Sequence, residues 1–157
     1  MSIKLLVMDV DGTMTDGRIY IGTNGELMKA FDVRDGYAIA HILPALLITP
    51  VIITGRISAI VEQRAAELGI TELHQGVNDK LTTLMHIAEK FHASPEEIAY
   101  IGDDLNDLDC IRYCGCTACP ADSAREVLVS ANHVCKHNGG RGAIRDFIEI
   151  LKEECNS

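Results

Sequence analysis

The sequence predicts an α/β fold with a mainly parallel sheet. Three observations carry this. Leu5-Leu6-Val7-Met8, Val51-Ile52-Ile53 and Ala99-Tyr100-Ile101 are short apolar runs, the pattern of strands buried on both faces. Each run stops at a polar cluster. Segments of helical period separate them, as βαβ connections require. The 157 residues, 47% apolar and 24% charged, suit one soluble globular domain spanning 1–157.

The elements follow in order. After the first strand comes Asp9-Val10-Asp11-Gly12-Thr13, two carboxylates where an open α/β sheet binds ligands. Residues 18–21 and 26–31 flank an Asn-Gly turn and read as a β-hairpin with Ile19, Ile21, Met28 and Ala30 on one apolar face. Asp35 is placed to cap a helix from Tyr37 to Leu43, with Pro44 and Pro50 fencing the residues between them. Residues 58–68 have helical periodicity that Gly69 stops. Glu72-Leu73-His74 is a short strand, and Lys80 opens a helix through Ala88. Ser94-Pro95-Glu96-Glu97 is a capping box. Residues 116–118 and 133–135 read as strands and 123–129 as a short helix. Gly139-Gly140-Arg141-Gly142 reads as a mobile glycine turn before a last helix, 143–154.

Composition excludes some functions. The net charge of −9 leaves no basic stripe for nucleic acid. No secretory signal is seen and no apolar run reaches membrane-spanning length, so a cytoplasmic location is expected, with no membrane partner. Of six cysteines, four lie between Cys110 and Cys119, but their spacing is not a pair of CxxC knuckles. Cys110 and Cys114 fit an apolar helical face and Cys116 opens a strand, so small buried thiols are expected there.

The strand ends carry the chemistry. Asp9 and Asp11, then Thr54-Gly55-Arg56, then Asp103, Asp104 and Asp107 share one edge of a parallel sheet, with Lys80 at a helix start between the second and third. This set suits Mg²⁺, which takes one or two carboxylates, waters and a substrate phosphate. A carboxylate beside such a cation can attack phosphorus, and a second can act as acid and then base.

The ordered set DVDGT, TGR, Lys80 and GDDLND resembles the haloacid dehalogenase-like phosphatase superfamily. TDGRIYIGTNGELMKAFDVRDG, LGITELHQGVNDK, YIGDDLND and GGRGAIRDF extend the likeness over nearly the whole chain. They point to the small 3-deoxy-D-manno-octulosonate 8-phosphate phosphatases and the related modules of acylneuraminate cytidylyltransferases. The resemblance implies a Rossmann-like three-layer sandwich with a protruding hairpin. It implies Asp9 as nucleophile and Asp11 as the acid that then activates water. Asp9, the Asp11 carbonyl and Asp103 would hold Mg²⁺, with Asp107 in the outer shell. Thr54, Gly55 and Lys80 would hold the phosphoryl group. Asp104 is equally well a surface carboxylate.

Only a hairpin and one helix lie between the first two motifs, so the chain looks capless, a form that closes its site by assembling a homotetramer around the hairpins. Arg56 resembles the octulosonate enzymes, whereas relatives preferring nine-carbon acids can carry glutamate there. Arg34 and Arg141 are candidates to reach the sugar carboxylate of a neighbouring site or to make subunit salt bridges. The small-molecule substrate implied is a phosphorylated sugar acid. The alternatives are a nonulosonate 9-phosphate substrate and a non-catalytic tetramerising module. One departure stands out: relatives have a glycine turn before the second strand, and this chain has Ala45-Leu46-Leu47-Ile48-Thr49-Pro50.

Overall fold

The structure, a computed structural model, describes residues 2–157. Six strands, β1 (Leu5–Met8), β4 (Thr49–Ile53), β5 (Glu72–His74), β6 (Ile98–Ile101), β7 (Cys116–Cys119) and β8 (His133–Val134), form one sheet in the order β5-β4-β1-β6-β7-β8. Every pairing in it is parallel. The chain leaves β1 toward β4 on one side and returns to β6 on the other, which opens a crevice at the carboxyl end of β1. β2 (Tyr20–Gly22) and β3 (Gly25–Met28) make the separate antiparallel hairpin.

Alternate side chains of the strands feed two apolar layers. Leu6, Met8, Ile52 and Ile101 pack with Ile39, Val61 and Phe147, from the first helical segment, α3 (Ala59–Glu67) and α7 (Ala143–Cys155). Leu5, Val7, Ile53 and Tyr100 pack with Leu84, Ile111 and Val127, from α4 (Lys80–Lys90), α5 (Leu108–Tyr113) and α6 (Arg125–Ser130). This is the three-layer sandwich. Between β1 and β4 there is the hairpin and one broken helix, and no cap domain among the described residues. No helix is long and apolar enough to cross a membrane. Cys110, Cys114, Cys116, Cys119 and Cys135 are all buried free thiols, and burial pushes Cys110 up to about 12.

Several expectations change. The helix before β4 is capped by Asp32, whose carboxylate accepts from the N–H groups of Arg34 and Asp35. Asp35 instead is buried and accepts from the Arg145 N–H at 2.9 Å, at the start of α7. The helix runs as α1 (Val33–Tyr37), a π turn over Ala38–Ile42 and α2 (Leu43–Ala45). The wider turn lets the chain continue through Pro44, whose ring would clash with the carbonyl four residues back in a regular helix. Pro50 lies inside β4, one residue before the pairing with β5 begins, where a missing N–H leaves nothing unpaired. Leu47 takes the left-handed conformation, φ +59°, in the place of the absent glycine.

The hairpin register also differs. The two-residue connection is Thr23-Asn24, and a bulge puts Ile21 opposite Glu26 but Tyr20 opposite Met28. Adjacent strand residues point to opposite faces, so Ile21 and Met28 do not share one apolar face. Apolar side chains instead protrude on both, with Ile21 67% and Leu27 68% exposed. The glycine turn is docked rather than mobile. The Gly140 N–H donates to the Thr13 carbonyl at 3.0 Å, and a Cβ at Gly139 would stand 1.9 Å from the Gly12 carbonyl oxygen. Only glycine permits that approach to the loop after β1.

Candidate active site

Asp9 follows β1 directly, and its N–H stays on the sheet ladder through the Ile101 carbonyl. The chain then turns sharply, with the N–H groups of Thr13, Met14 and Thr15 converging on the Val10 carbonyl. Gly12 sits at φ +90°, and a Cβ there would fall 1.9 Å from a carboxylate oxygen of Asp103. Any side chain at position 12 would displace Asp103. Thr13 Oγ1 donates to Asp103 Oδ1 at 3.1 Å, which fixes that carboxylate beside Asp9.

Lys80 is the first residue of α4, which Asp79 caps through the Thr82 N–H. Its ammonium is buried and donates at 2.9 Å to both Asp9 Oδ1 and Asp107 Oδ1. Asp107 is fully occupied: Oδ1 also accepts from the Tyr100 hydroxyl at 2.5 Å, and Oδ2 accepts from the N–H groups of Asp103 and Asp104 at 3.0 and 3.2 Å. It therefore pins the β6 loop to Lys80. A Cβ at Gly102 would overlap this carboxylate, 2.3 Å from its carbon.

Thr54 is buried at the end of β4, its backbone held by the His74 carbonyl and the Val77 N–H. Gly55 and Arg56 beyond it are exposed. Asp9, Asp11, Thr54, Gly55, Arg56, Asp104 and Asn106 line one small cleft of about 200 Å³.

Asp9, Asp103 and Asp107 each bring an oxygen within 4.8 Å of the others. Burial first, then the Asp107 charge, raises Asp9 to about 6. Burial and the contact with Asp9 raise Asp103 to about 9. Two carboxyls pressed together in this way need a proton or a cation between them. With Asp107 satisfied by protein donors, Asp9, which lines the cleft, and Asp103 beside it remain as hard oxygen ligands, a set that fits Mg²⁺.

One participant was not legible from the sequence. Lys29, just after β3, buries its ammonium against Asp11 Oδ1 at 2.6 Å and Glu26 Oε2 at 3.2 Å. Glu26 in turn bonds the hydroxyl of Ser58, the residue that caps α3. The hairpin is thus tied to Asp11 by charge. The signal available was a Glu-x-x-Lys pair on a strand otherwise rich in apolar residues. Arg34 and Arg141 lie together outside the cleft lining, with Arg34 Nη2 donating to the Arg141 carbonyl at 3.3 Å. Asp104 lines the cleft and caps the short helical turn Leu105–Asp107.

The family profile for haloacid dehalogenase-like hydrolases matches residues 49–148. The 3-deoxy-D-manno-octulosonate 8-phosphate phosphatase of Escherichia coli is 45% identical over 150 residues, which span 96% of this chain and 79% of that protein. The phosphatase of the same name from Moraxella catarrhalis, solved with a magnesium ion, a phosphate ion and a KDO molecule, superposes with a TM-score of 0.94 at 39% identity, over 99% of this chain and 88% of that one. The cobalt-bound Haemophilus influenzae enzyme superposes with a TM-score of 0.94 at 34% identity, over 99% and 90%. With the matched profile, these likenesses and a capless sandwich carrying its carboxylates on the β1 and β6 loops, the chain belongs to the haloacid dehalogenase-like hydrolase family.

Proposed function

We propose that this chain is a Mg²⁺-dependent phosphatase that hydrolyses 3-deoxy-D-manno-octulosonate 8-phosphate. The observation that carries the reading is the Asp9–Asp103 pair: a buried and a half-buried carboxyl in contact, Asp9 lining a cleft that Asp11, Thr54 and Gly55 complete. The enzymes of that name among its relatives support the substrate.

Asp9 is the nucleophile. Lys80 orients it and its charge favours the ionised form. Asp9 attacks phosphorus, the bond to the sugar oxygen breaks, and Asp11 supplies that oxygen with a proton. Asp11 then takes a proton from water. The water oxygen attacks the aspartyl phosphate, releasing inorganic phosphate and restoring Asp9. Thr54, the Gly55 N–H and Lys80 hold the phosphoryl oxygens. Asp9, Asp103 and the Asp11 carbonyl would hold Mg²⁺, whose charge offsets that of the phosphoryl group. Asp107 serves from the outer shell.

Arg56, exposed at the rim beyond Gly55, reaches past the phosphate toward the sugar acid. Arg34 and Arg141 serve a neighbouring subunit's site, where a guanidinium fits a carboxylate in two-point contact. The protruding hairpin supports a homotetramer built on it. The chain acts as one domain, 1–157, in the cytoplasm.

Steady-state kinetics with Mg²⁺ on octulosonate 8-phosphate, nonulosonate 9-phosphates and p-nitrophenyl phosphate tests the reading. The expected result is the highest kcat/KM on the octulosonate. A nonulosonate preference overturns the substrate, and no turnover on any of them overturns the enzyme.

A further inference from the structure

At the opposite edge of the same sheet, three donor side chains of different chemistry converge. Cys116 opens β7, His133 opens β8, and Glu154 lies in the last turn of α7. Cys116 Sγ stands 3.7 Å from Glu154 Oε2, and His133 Nε2 stands 3.5 Å from Glu154 Oε1. One donor atom from each lies within 4.8 Å of the other two. The His133 ring is set against Phe147, with ring centroids 6.4 Å apart. The cluster opens onto a cavity of about 380 Å³, which Asn132 and Cys155 also border.

We propose that Cys116, His133 and Glu154 form a second metal site, selective for Zn²⁺ and independent of the catalytic cation. Around tetrahedral Zn²⁺, with bonds of about 2.3 Å to sulfur and about 2.0 Å to nitrogen and oxygen, neighbouring donors stand about 3.3–3.6 Å apart. The separations of 3.5 and 3.7 Å lie in or within about 0.1 Å of this range, each to a different oxygen of Glu154. Glu154 is exposed, so its carboxylate is free to turn and present one oxygen to the ion. The fourth position falls to Cys155, adjacent in sequence and on the same cavity, or to water. Binding exchanges the Cys116 thiol proton for the metal, with no redox change.

Ligand chemistry separates the two edges. A thiolate and an imidazole favour Zn²⁺ and are poor partners for Mg²⁺, which prefers oxygen alone. Position explains a structural use. β7, β8 and the end of α7 come together here, and β8 is a two-residue edge strand. A bound ion would clip all three.

Full-length protein, kept reduced and saturated with Mg²⁺, is titrated with Zn²⁺ by calorimetry and with Co²⁺ by absorption. The expected result is one equivalent of Zn²⁺ that Mg²⁺ does not displace. Co²⁺ should give a thiolate-to-cobalt charge-transfer band and the strong visible bands of a four-coordinate ion. Cys116→Ser and His133→Asn should lose both signals while still hydrolysing p-nitrophenyl phosphate with Mg²⁺, which reports that they fold. Wild-type protein that takes up no stoichiometric Zn²⁺, or that shows only the weak spectrum of oxygen-ligated cobalt, overturns the site. So does a charge-transfer band that survives in folded Cys116→Ser. The wild-type measurements decide the matter even where a variant fails to fold.

Discussion

The carboxyl edge of the sheet and the β2–β3 hairpin handle exposure in opposite ways. At the edge, Asp9, Lys80 and Asp107 are buried charges, and each finds its partners within the chain. On the hairpin, Ile21, Leu27 and Met28 are apolar side chains left in water. A buried charge without a partner costs several kcal/mol, on the order of a domain's whole stability, so the edge has one arrangement. An exposed apolar face has no such internal constraint, and it is the surface on which the proposed tetramer rests. Lys29 joins the two regions, since it belongs to the hairpin but is buried against Asp11.

The largest effect tests the edge. Asp9→Asn should lower kcat by about 10³-fold or more, because an amide neither attacks phosphorus nor ligates Mg²⁺ well. Asp11→Asn should come close to that loss. Substantial turnover by folded Asp9→Asn protein would sink the mechanism. The next effect tests the joint. Lys29→Met removes the cation between Asp11 and Glu26 and should lower kcat by about 10- to 100-fold with a smaller change in KM. An unchanged kcat would mean that hairpin and site are energetically separate.

The hairpin itself comes third. Ile21→Glu with Leu27→Glu charges both of its faces. Light scattering should then report dissociation, with activity falling several-fold as the sites lose their neighbours. A fully active monomer would reject the tetramer.

This contrast explains what was legible in the sequence. Asp9, Thr54 and Asp103 announce themselves because polar groups end buried apolar runs, and the strand period fixes where those runs stop. The β1, β4 and β6 strands were readable for the same reason. The hairpin register was not, because no buried face penalises a slip: the bulge opposite Tyr20 leaves both faces exposed. Lys29 was hidden because its partner is 18 residues away across that register. Asp35 stands just ahead of the apolar run that begins at Tyr37, which is why the sequence suggests it as the cap, but Asp32 holds that position and Asp35 faces α7 instead.

Asp35 gives the fourth prediction, set away from both regions. Burial first, with Asp32 and Asp146 nearby, raises its carboxyl from 3.8 to about 6 against the Arg145 and Gly142 N–H groups. Its second oxygen has no partner. A carboxyl raised on folding holds more protons folded than unfolded. The contribution of Asp35 to stability therefore falls as pH rises from about 4 to about 6, by on the order of 2–3 kcal/mol, and stays lower above that. Asp35→Asn keeps an oxygen for the Arg145 N–H and cannot ionise. Denaturant unfolding across that window should show the stability of the variant gaining on that of the wild type as pH rises, and parallel curves would remove Asp35 from the account.

The smallest effect concerns three helix ends of one design. α3, α2 and α4 each close with the paired bonds of a Schellman motif: Gly69 to Ala66 with Ile70 to Ala65, Leu47 to Pro44 with Ile48 to Leu43, and His92 to Glu89 with Ala93 to Ala88. The residue at the turn is left-handed each time, at φ +72°, +59° and +50°. Gly69 was readable as a stop because it is glycine; Leu47 and His92 were not. A leucine there costs roughly 1–2 kcal/mol in backbone strain, against roughly 0.5–1 kcal/mol of extra unfolded-chain freedom for glycine. The Leu47 side chain is 87% exposed, so little packing is at stake. Leu47→Gly should therefore raise stability by up to about 1 kcal/mol, seen as a higher denaturant midpoint at unchanged m. Leu47→Ala removes the same exposed surface but keeps the left-handed strain, so it should gain little. If the two variants were equally stable, the wild-type cost would lie in the exposed side chain and not in the turn.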